Sequence, residues 1–369
     1  MDFRNAALGE FAPQSAALGA KTALVGFDGF VDTIVTPVAL RTGLGTQFEP
    51  IPTIAAFAQR LAAAAGKSTN IELFPRMEKL GGNGPLMADA LLAAGARVRY
   101  VGALGRPEPH RVFREFAART RAVSFCAPGL TTALEFDDGK IMFGQTASLE
   151  EIDYARIVAA TGAEAWLDLL ARADLVALVN WTMTPHMTAI FDELTGRVLP
   201  HLPPRARTFF FDLADPEKRS DADLNAALAA IGRFQAHGRA ILGLNLKEAQ
   251  HVHRLLGGAP QPEDEAGLRE TARSIRERLQ VAVVVIHPTK CAACATRDGT
   301  GFVPGPYVEK PLLTTGAGDH FNAGFAAAQL LGLTLQSSLA VAVATSGCYV
   351  RTGRSPSPAE IAELLRTWK

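Results

Sequence analysis

The stretch TTGAGDHFNAGF (residues 314–325) places small residues directly ahead of an acid, and an amphipathic apolar segment follows at once. If a loop ends here at the start of a helix, the amides of Gly316, Ala317 and Gly318 have no intrahelical partners, and the helix dipole adds positive potential. Such a place binds an anion, and glycine lets backbone approach a phosphate closely. A carboxylate at the same spot, Asp319, suits a general base that accepts a hydroxyl proton while the amides stabilise a transferring phosphoryl group.

A second interpretation of Asp319 is purely structural. Aspartate is a favoured residue at the N-cap of a helix, so Asp319 as a simple cap explains the same letters. Taken alone, GAGD supports capping about as well as catalysis, and the rest of the chain has to decide between them.

Short apolar runs that end at polar or glycine-rich breaks predict the strands of a covered, mostly parallel sheet. These runs are residues 22–27, 98–105, 174–181, 208–215, 240–245 and 281–287. Helical stretches lie between them, at residues 85–94, 165–173, 187–198, 221–232 and 265–279. The alternation predicts an α/β fold with right-handed crossovers and helices flanking the sheet.

Two segments break the alternation and predict a second, smaller sheet. Residues 129–145 alternate apolar and polar positions on both sides of DDGK, which is typical of a hairpin, and residues 71–82 also look extended. We predict one domain over residues 1–369, with a β-sheet lid formed from about 33–37, 70–80 and 129–145.

The sequence resembles the ribokinase-like (PfkB) family of carbohydrate kinases over most of its length. The family's carboxy-terminal signature reads approximately D-T-x-G-A-G-D-x-F-x-x-G-F. The positions that match it are Thr314, Gly316, Ala317, Gly318, Asp319, Phe321, Gly324 and Phe325. ALVGFDGFVDTIV resembles the family's first strand, and KLGGNGPLMADALLAAGARVRYVGALG resembles its amino-terminal signature. The resemblance implies a three-layer α/β/α fold with a small lid, ATP and Mg²⁺ as cofactors, a sugar-like acceptor, and a homodimer formed through the lid.

On the acceptor side, the resemblance assigns sugar binding to Asp32, with Asp28 as a second candidate. Gly81 and Gly82 would bring backbone against the sugar. Asn83 would offer both donors and an acceptor, although asparagine after glycines is also common in plain turns.

On the nucleotide side, NLKE matches the family's N-x-x-E motif, which implies that Asn245 and Glu248 hold magnesium and phosphate, largely through water. They follow an apolar run, where a parallel sheet opens its ligand crevice, and hard oxygen ligands suit Mg²⁺. A helix N-cap with an acid in the first turn explains the same spacing. Thr315 and His287 complete the predicted nucleotide-binding residues.

The chain departs from the family at accessory positions. Leu313 replaces the signature's leading acid, which is associated with monovalent-cation binding, so the resemblance leaves potassium activation open. Leu86 stands where the family has an asparagine, which shifts a sugar contact toward Asn83. The nucleotide-side T-x-G-x-x-G pattern reads HPTKCA (residues 287–292), so base or phosphate contacts there must differ. These positions differ among sugar and nucleoside kinases, and no particular acceptor is predicted.

Composition narrows the class of partner. The 369 residues include 37 Lys and Arg and 37 Asp and Glu, which gives a formal net charge of zero. Neither a nucleic-acid footprint nor a membrane-surface patch is therefore expected, and the lack of a secretory pattern predicts a cytoplasmic protein. The uncharged stretch 321–350 is interrupted by polar residues, so we expect two buried helices around Gly332 rather than a membrane span.

The sequence favours an ATP-dependent kinase that transfers the γ-phosphate to a primary hydroxyl of a sugar or sugar-like molecule, with Asp319 as base and the Gly316–Gly318 amides as anion hole. A catalytically silent sugar- or nucleotide-binding relative is the alternative, motivated by Leu86 and the altered nucleotide motif. A dinucleotide-dependent oxidoreductase is disfavoured because no G-x-G-x-x-G opens the first helix.

Overall fold

A computed structural model describes residues 2–368 of the chain. The strands are β1 (Thr22–Phe27), β2 (Phe30–Arg41), β3 (Phe48–Pro50), β4 (Leu73–Gly81), β5 (Arg97–Gly102), β6 (Val123–Ser124), β7 (Gly129–Phe136), β8 (Gly139–Gln145), β9 (Leu175–Leu178), β10 (Thr208–Asp212), β11 (Arg239–Leu244), β12 (Val283–Ile286), β13 (Cys291–Ala295) and β14 (Thr300–Pro304).

The α-helices are α1 (Phe3–Gln14), α2 (Ile54–Ala62), α3 (Asn83–Ala93), α4 (Arg114–Thr120), α5 (Tyr154–Thr161), α6 (Ala163–Arg172), α7 (Met187–Glu193), α8 (Asp221–Arg233), α9 (Leu246–Leu255), α10 (Glu265–Leu279), α11 (Ala317–Leu330), α12 (Leu335–Thr352) and α13 (Pro358–Thr367). The predicted helix over residues 187–198 is α only as far as Glu193 and continues as a π-helical turn, Leu194–Val198.

The larger sheet has nine strands in the order β14-β13-β12-β11-β10-β9-β1-β5-β6. Neighbours from β12 to β6 are parallel, and β13 and β14 add an antiparallel edge. Each apolar run of the sequence overlaps one of the parallel strands, so the α/β class is confirmed. Most strands end before their runs do, because the last residues of each run turn into the loops at the carboxyl edge.

Strand β10 shows how the sheet separates two helical layers. Phe209 and Phe211 pack with helices α6, α7, α8 and α10, whereas Phe210 packs on the other side with α3, α11 and α12. This alternation is the period of two expected of a strand buried on both faces. Burying each phenylalanine completely stabilises the fold by about 1.5–3 kcal/mol, and a three-layer core results.

The uncharged stretch after the GAGD motif forms two packed helices, as the sequence predicts. Gly332, with φ 74°, makes the turn between α11 and α12. The two helices lie so close that a Cβ added at Gly324 would come within 2.5 Å of Thr345 Oγ1. Among residues 2–368, no helix combines the length and apolarity needed to cross a bilayer.

The amino-terminal helix is tied to the carboxy-terminal part of the chain. The Glu10 carboxylate in α1 accepts hydrogen bonds from the amide nitrogen of Thr334 at 2.9 Å and from Ser337 Oγ at 2.8 Å. It thereby satisfies donors at the start of α12, where the helix dipole also favours an acid.

The smaller sheet runs β3-β2-β7-β8, with β4 also paired to β2, and it forms the lid. Strand β2 begins two residues after Asp28, so the chain passes directly from the central sheet into the lid. Val35 and Leu134 pack under Phe57 of α2 on one face. The predicted hairpin 129–145 is confirmed, and β2 and β3 carry the lid further than the predicted segment 33–37. The division into a single domain stays a prediction.

Candidate active site

Asp319 is the third residue of α11 and not its cap. The N-cap is Gly316, in the left-handed region with φ 96°, so the capping interpretation of Asp319 is wrong. Asp319 is only 9% exposed. Burial raises its pKa well above the ordinary range, and the nearby charges of Asp212 and Asp28 raise it further. A more basic carboxylate in a cleft is typical of a functional acid or base.

The anion loop, residues 314–318, makes one hydrogen bond within itself. The amide of Ala317 donates to the carbonyl oxygen of Thr314 at 3.1 Å, so this amide is not free as the sequence suggested. Tyr349 Oη donates to the carbonyl oxygen of Thr315 at 2.7 Å and holds the loop from α12. Gly316 and Gly318 are the remaining predicted donors of the anion hole.

Asp28, the second candidate for sugar binding, is buried and hydrogen-bonded to the start of α3. It has no exposed surface, and its carboxylate accepts from the amides of Asn83 (2.9 Å) and Gly84 (2.8 Å) and from Asn180 Nδ2 (2.7 Å). Burial raises the pKa of Asp28 to about 6, and these hydrogen bonds oppose the rise. Asp28 therefore holds the start of α3 through both of its oxygens, and its contact with a sugar stays a prediction.

The two glycines before α3, Gly81 and Gly82, lie directly against two buried carboxylates. A Cβ at Gly81 would lie 2.3 Å from Asp32 Oδ2, and a Cβ at Gly82 would lie 2.8 Å from Asp28 Oδ2. Gly82 also has φ 98°, which a side chain rarely tolerates. Carboxylates therefore fill the space in which a side chain would lie at either glycine, and the backbone contact of Gly81 and Gly82 with a sugar stays a prediction.

Asn83 links two acids across the crevice. Its Nδ2 lies 3.4 Å from Asp212 Oδ1. The Asn83 side chain also hydrogen-bonds to Asp319, which partly opposes the rise in the pKa of Asp319. Asp212, the last residue of β10, also accepts from Asn322 Nδ2 at 3.0 Å. Burial and the Glu248 charge raise the pKa of Asp212 well above its usual range. Sequence reasoning missed Asp212, although its place at the carboxyl end of a parallel strand is a recognisable signal.

Asp32 lies on the lid face that looks into the crevice. It is only 5% exposed, and it pairs across the sheet with Lys79 of β4 and Thr131 of β7. Burial raises its pKa, and the Lys79 charge opposes that shift. Lys79 Nζ is buried without a hydrogen-bond partner among the described residues. Asp32, the predicted sugar-binding residue, therefore lies beside a lysine that sequence reasoning did not identify.

Asn245 and Glu248 form a complete capping box at α9. Asn245 Oδ1 accepts from the Glu248 amide at 3.0 Å, and Glu248 Oε2 accepts from the Asn245 amide at 2.9 Å. Glu248 Oε1 accepts from the amide of Asp215, also at 2.9 Å. The capping interpretation is correct, and it occupies both oxygens of Glu248 with backbone donors.

The oxygen donors around the crevice suit magnesium held mainly by phosphate and water. In the part of the chain that the structure describes, no group of three His, Cys, Asp or Glu side chains is placed to hold a metal directly. Burial nevertheless raises the pKa values of Asp212 and Glu248, and each lies beside another acid, so a cation nearby would relieve their repulsion.

A cavity of about 390 Å³ lies between the β13–β14 edge and helices α11 and α12. Gly318 lines it at the start of α11, Asn245 lines it at the start of α9, and Phe321 and Val350 belong to its apolar wall. His287 also lines it; its Nε2 is buried without a described partner, and burial lowers its pKa to about 4. An apolar slot that ends at free helix amides fits a nucleotide.

Thr314, rather than Thr315, lines this cavity. The Thr315 hydroxyl instead accepts from Lys140 Nζ of the lid, which also lies 3.5 Å from Thr314 Oγ1. Thr315 therefore contacts the lid, and its predicted contact with the nucleotide stays a prediction.

Solved structures define the fold class. The chain aligns with the nucleoside kinase of Methanocaldococcus jannaschii, an archaeal member of the ribokinase family, with a TM-score of 0.62, 15% identity and coverage of 94% of this chain and 98% of that one. Arabidopsis thaliana ribokinase, complexed with ribose and ATP, aligns with a TM-score of 0.61, 18% identity and coverage of 94% and 98%. The architecture is that of the ribokinase-like kinases.

Sequence comparison is more specific. Residues 9–368 match the family model for prokaryotic ketohexokinase. The ketohexokinase of Haloferax volcanii is 31% identical over 340 residues, which cover 92% of this chain and 89% of that protein. The chain belongs to the prokaryotic ketohexokinase family, and it is a carbohydrate kinase.

Proposed function

We propose that the protein transfers the γ-phosphate of ATP to a primary hydroxyl of a ketohexose, with Asp319 as the general base. The observation that carries the proposal is the place of Asp319: it is buried at the start of α11, between the acid-lined crevice and the apolar cavity. The acceptor class follows from the similarity to a ketohexokinase.

The residues of the crevice have distinct tasks in this reaction. Asp32 and Asn83 orient the acceptor, and Asp28 holds Asn83 in place through its amide. Asp319 accepts the proton of the attacking hydroxyl, and burial makes its ionised form a stronger base than an exposed aspartate. The Gly318 amide and the α11 dipole favour the negative charge of the transferring group.

Magnesium would supply positive charge to the polyphosphate. Asn245 and Glu248 are expected to meet it through water, since both Glu248 oxygens already accept backbone hydrogen bonds. The lid carries Asp32 and covers the crevice, so it excludes water that would otherwise compete as acceptor.

A coupled assay for ADP release from Mg-ATP tests the proposal. The acceptors are ketohexoses, aldohexoses, ribose and nucleosides, each with wild type, Asp319→Asn and the exposed-site control Asp298→Asn. We expect ketohexoses to give the highest kcat/KM and Asp319→Asn to lower kcat by about 10²–10⁴-fold. The control should match wild type, because Asp298 is exposed in the β13–β14 turn.

The outcomes separate the parts of the proposal. Turnover with a nucleoside or ribose but not with ketohexoses would refute the acceptor class and leave the kinase chemistry intact. Full activity of Asp319→Asn would refute the base. ADP release that is equal with and without any acceptor would reject transfer to a sugar.

A further inference from the structure

Lys140 connects the lid to the anion loop. It is the second residue of β8, and its ammonium group donates to the hydroxyls of Thr315 and Thr314. Both threonines directly precede Gly316, the N-cap of α11. A lid side chain thus ends at the loop predicted to hold the transferring phosphoryl group.

Strand pairing places Lys140 on the same lid face as the acceptor site. Lys140 pairs with Glu135 of β7, and Asp32 pairs with Thr131 of the same strand. Thr131 and Glu135 are four residues apart on β7, and side chains at even spacing share one face of a strand. Lys140 and Asp32 therefore both face the crevice.

The charge of Lys140 is not matched by its hydrogen-bond partners. Both threonine hydroxyls are neutral, so they satisfy donors without balancing the ammonium charge. Desolvation and the charge of Lys79 lower the pKa of Lys140, while the carboxylates of Glu135 and Asp32 oppose this shift. An anion arriving at the loop would relieve both unfavourable effects.

Building on the proposed function, we infer that Lys140 is a catalytic residue supplied by the lid, which donates to an oxygen of the transferring phosphoryl group. No bond to the lysine forms or breaks. The acceptor oxygen forms the new bond to phosphorus, the bond from phosphorus to the ADP oxygen breaks, and the hydroxyl proton passes to Asp319. Lys140 keeps its proton throughout and stabilises the charge on the group in transit.

Nucleotide binding tests the contact without turnover. Affinities for Mg-ADP and for a non-hydrolysable Mg-ATP analogue are measured by calorimetry for wild type, Lys140→Met, Lys140→Arg and the control Lys67→Met. Lys67 is an exposed lysine between α2 and β4. Since only the analogue carries a third phosphate, we expect Lys140→Met to weaken the analogue about tenfold or more and to leave ADP within about twofold. Lys140→Arg should keep most of the analogue's affinity.

Steady-state kinetics provide a second readout. Lys140→Met should lower kcat by about 10²-fold or more and change the KM of the sugar little, because the contact strengthens as charge develops. Equal loss of ADP and analogue affinity would show a structural role and overturn the inference, as would unchanged affinity for both nucleotides with unchanged kcat. A wild type that binds the analogue but phosphorylates no ketohexose would contradict the proposed function, while the binding comparison would still decide the role of Lys140.

Discussion

Four carboxylates with raised pKa values meet at the carboxyl edge of the larger sheet: Asp28, Asp212, Glu248 and Asp319. Burial is the main cause in each case, and mutual repulsion adds to it at Asp212 and Asp319. Structural acids of this kind are usually compensated by lysine or arginine, whereas here the nearest donors are mostly amides. The cluster is therefore suited to a cation and a proton that arrive with the substrates.

His320 should make the stability of the protein depend on pH. Its Nδ1 donates to the carbonyl oxygen of Gly316 at 2.7 Å, its Nε2 lies 2.9 Å from Ser355 Oγ, and burial lowers its pKa to about 4. Because the pKa is lower in the folded state than the ordinary 6.5, the neutral ring contributes stability that is fully present above pH about 6.5 and is lost as the pH falls through about 4. The contribution is on the order of 3 kcal/mol.

The measurement is urea unfolding of wild type, His320→Gln and the exposed control His201→Gln at several pH values between 4 and 7.5. Wild type and His201→Gln should lose stability on acidification with the same slope, and His320→Gln should have a flatter slope. Parallel pH profiles for all three proteins would contradict the pKa assigned to His320.

At the scale of elements, sequence patterns were strongest where the information is local. Strand β1 and helix α10 have the bounds that periodicity predicts, and the loop around Gly316 was found from its spacing. Asp212 ends β10, one of the predicted strands, and could have been found in this way, whereas Asn322 and Lys140 could not. Each acts through residues more than a hundred positions away, and only the strand order and the lid register bring them together.

Asn245 belongs both to a helix cap and to the cavity, and substitution can separate the two roles. Aspartate caps a helix as well as asparagine, so Asn245→Asp should keep the free energy of unfolding within about 0.5 kcal/mol of wild type. The added charge faces the cavity, where it should repel the polyphosphate and raise the KM for Mg-ATP about tenfold.

Asn245→Ala is the matched comparison, because it removes the cap and should cost about 1 kcal/mol of stability. Unfolding curves and steady-state kinetics at varied ATP concentration measure the two effects. An unchanged KM in Asn245→Asp would place the nucleotide elsewhere.

At the scale of the whole molecule, we predict a homodimer formed through the lid. Met77, Ile34, Ala133 and Met142 are cross-strand neighbours in one row over four lid strands. The two methionines at the ends of the row are 54% and 47% exposed, which leaves apolar surface that a second copy would cover. Light scattering after size exclusion should give twice the mass of one chain.

The double variant Met77→Lys, Met142→Lys should give the mass of one chain, because burying two lysines at an apolar interface is unfavourable. Leu312→Lys is the control, since Leu312 is 71% exposed and lies outside the lid. A wild type with the mass of one chain at micromolar concentration would contradict the prediction.

The contact of Glu10 with Thr334 has a consequence for how the protein is made in the cell. Helix α1 is synthesised well before the residue that its Glu10 caps, Thr334, which lies 324 positions later. The same delay applies to the loop around Gly316, because α11 and α12 follow every strand of both sheets in the sequence. During translation, the apolar face of α1 therefore stays unpaired until α11 and α12 have been made, and this part of the core forms late.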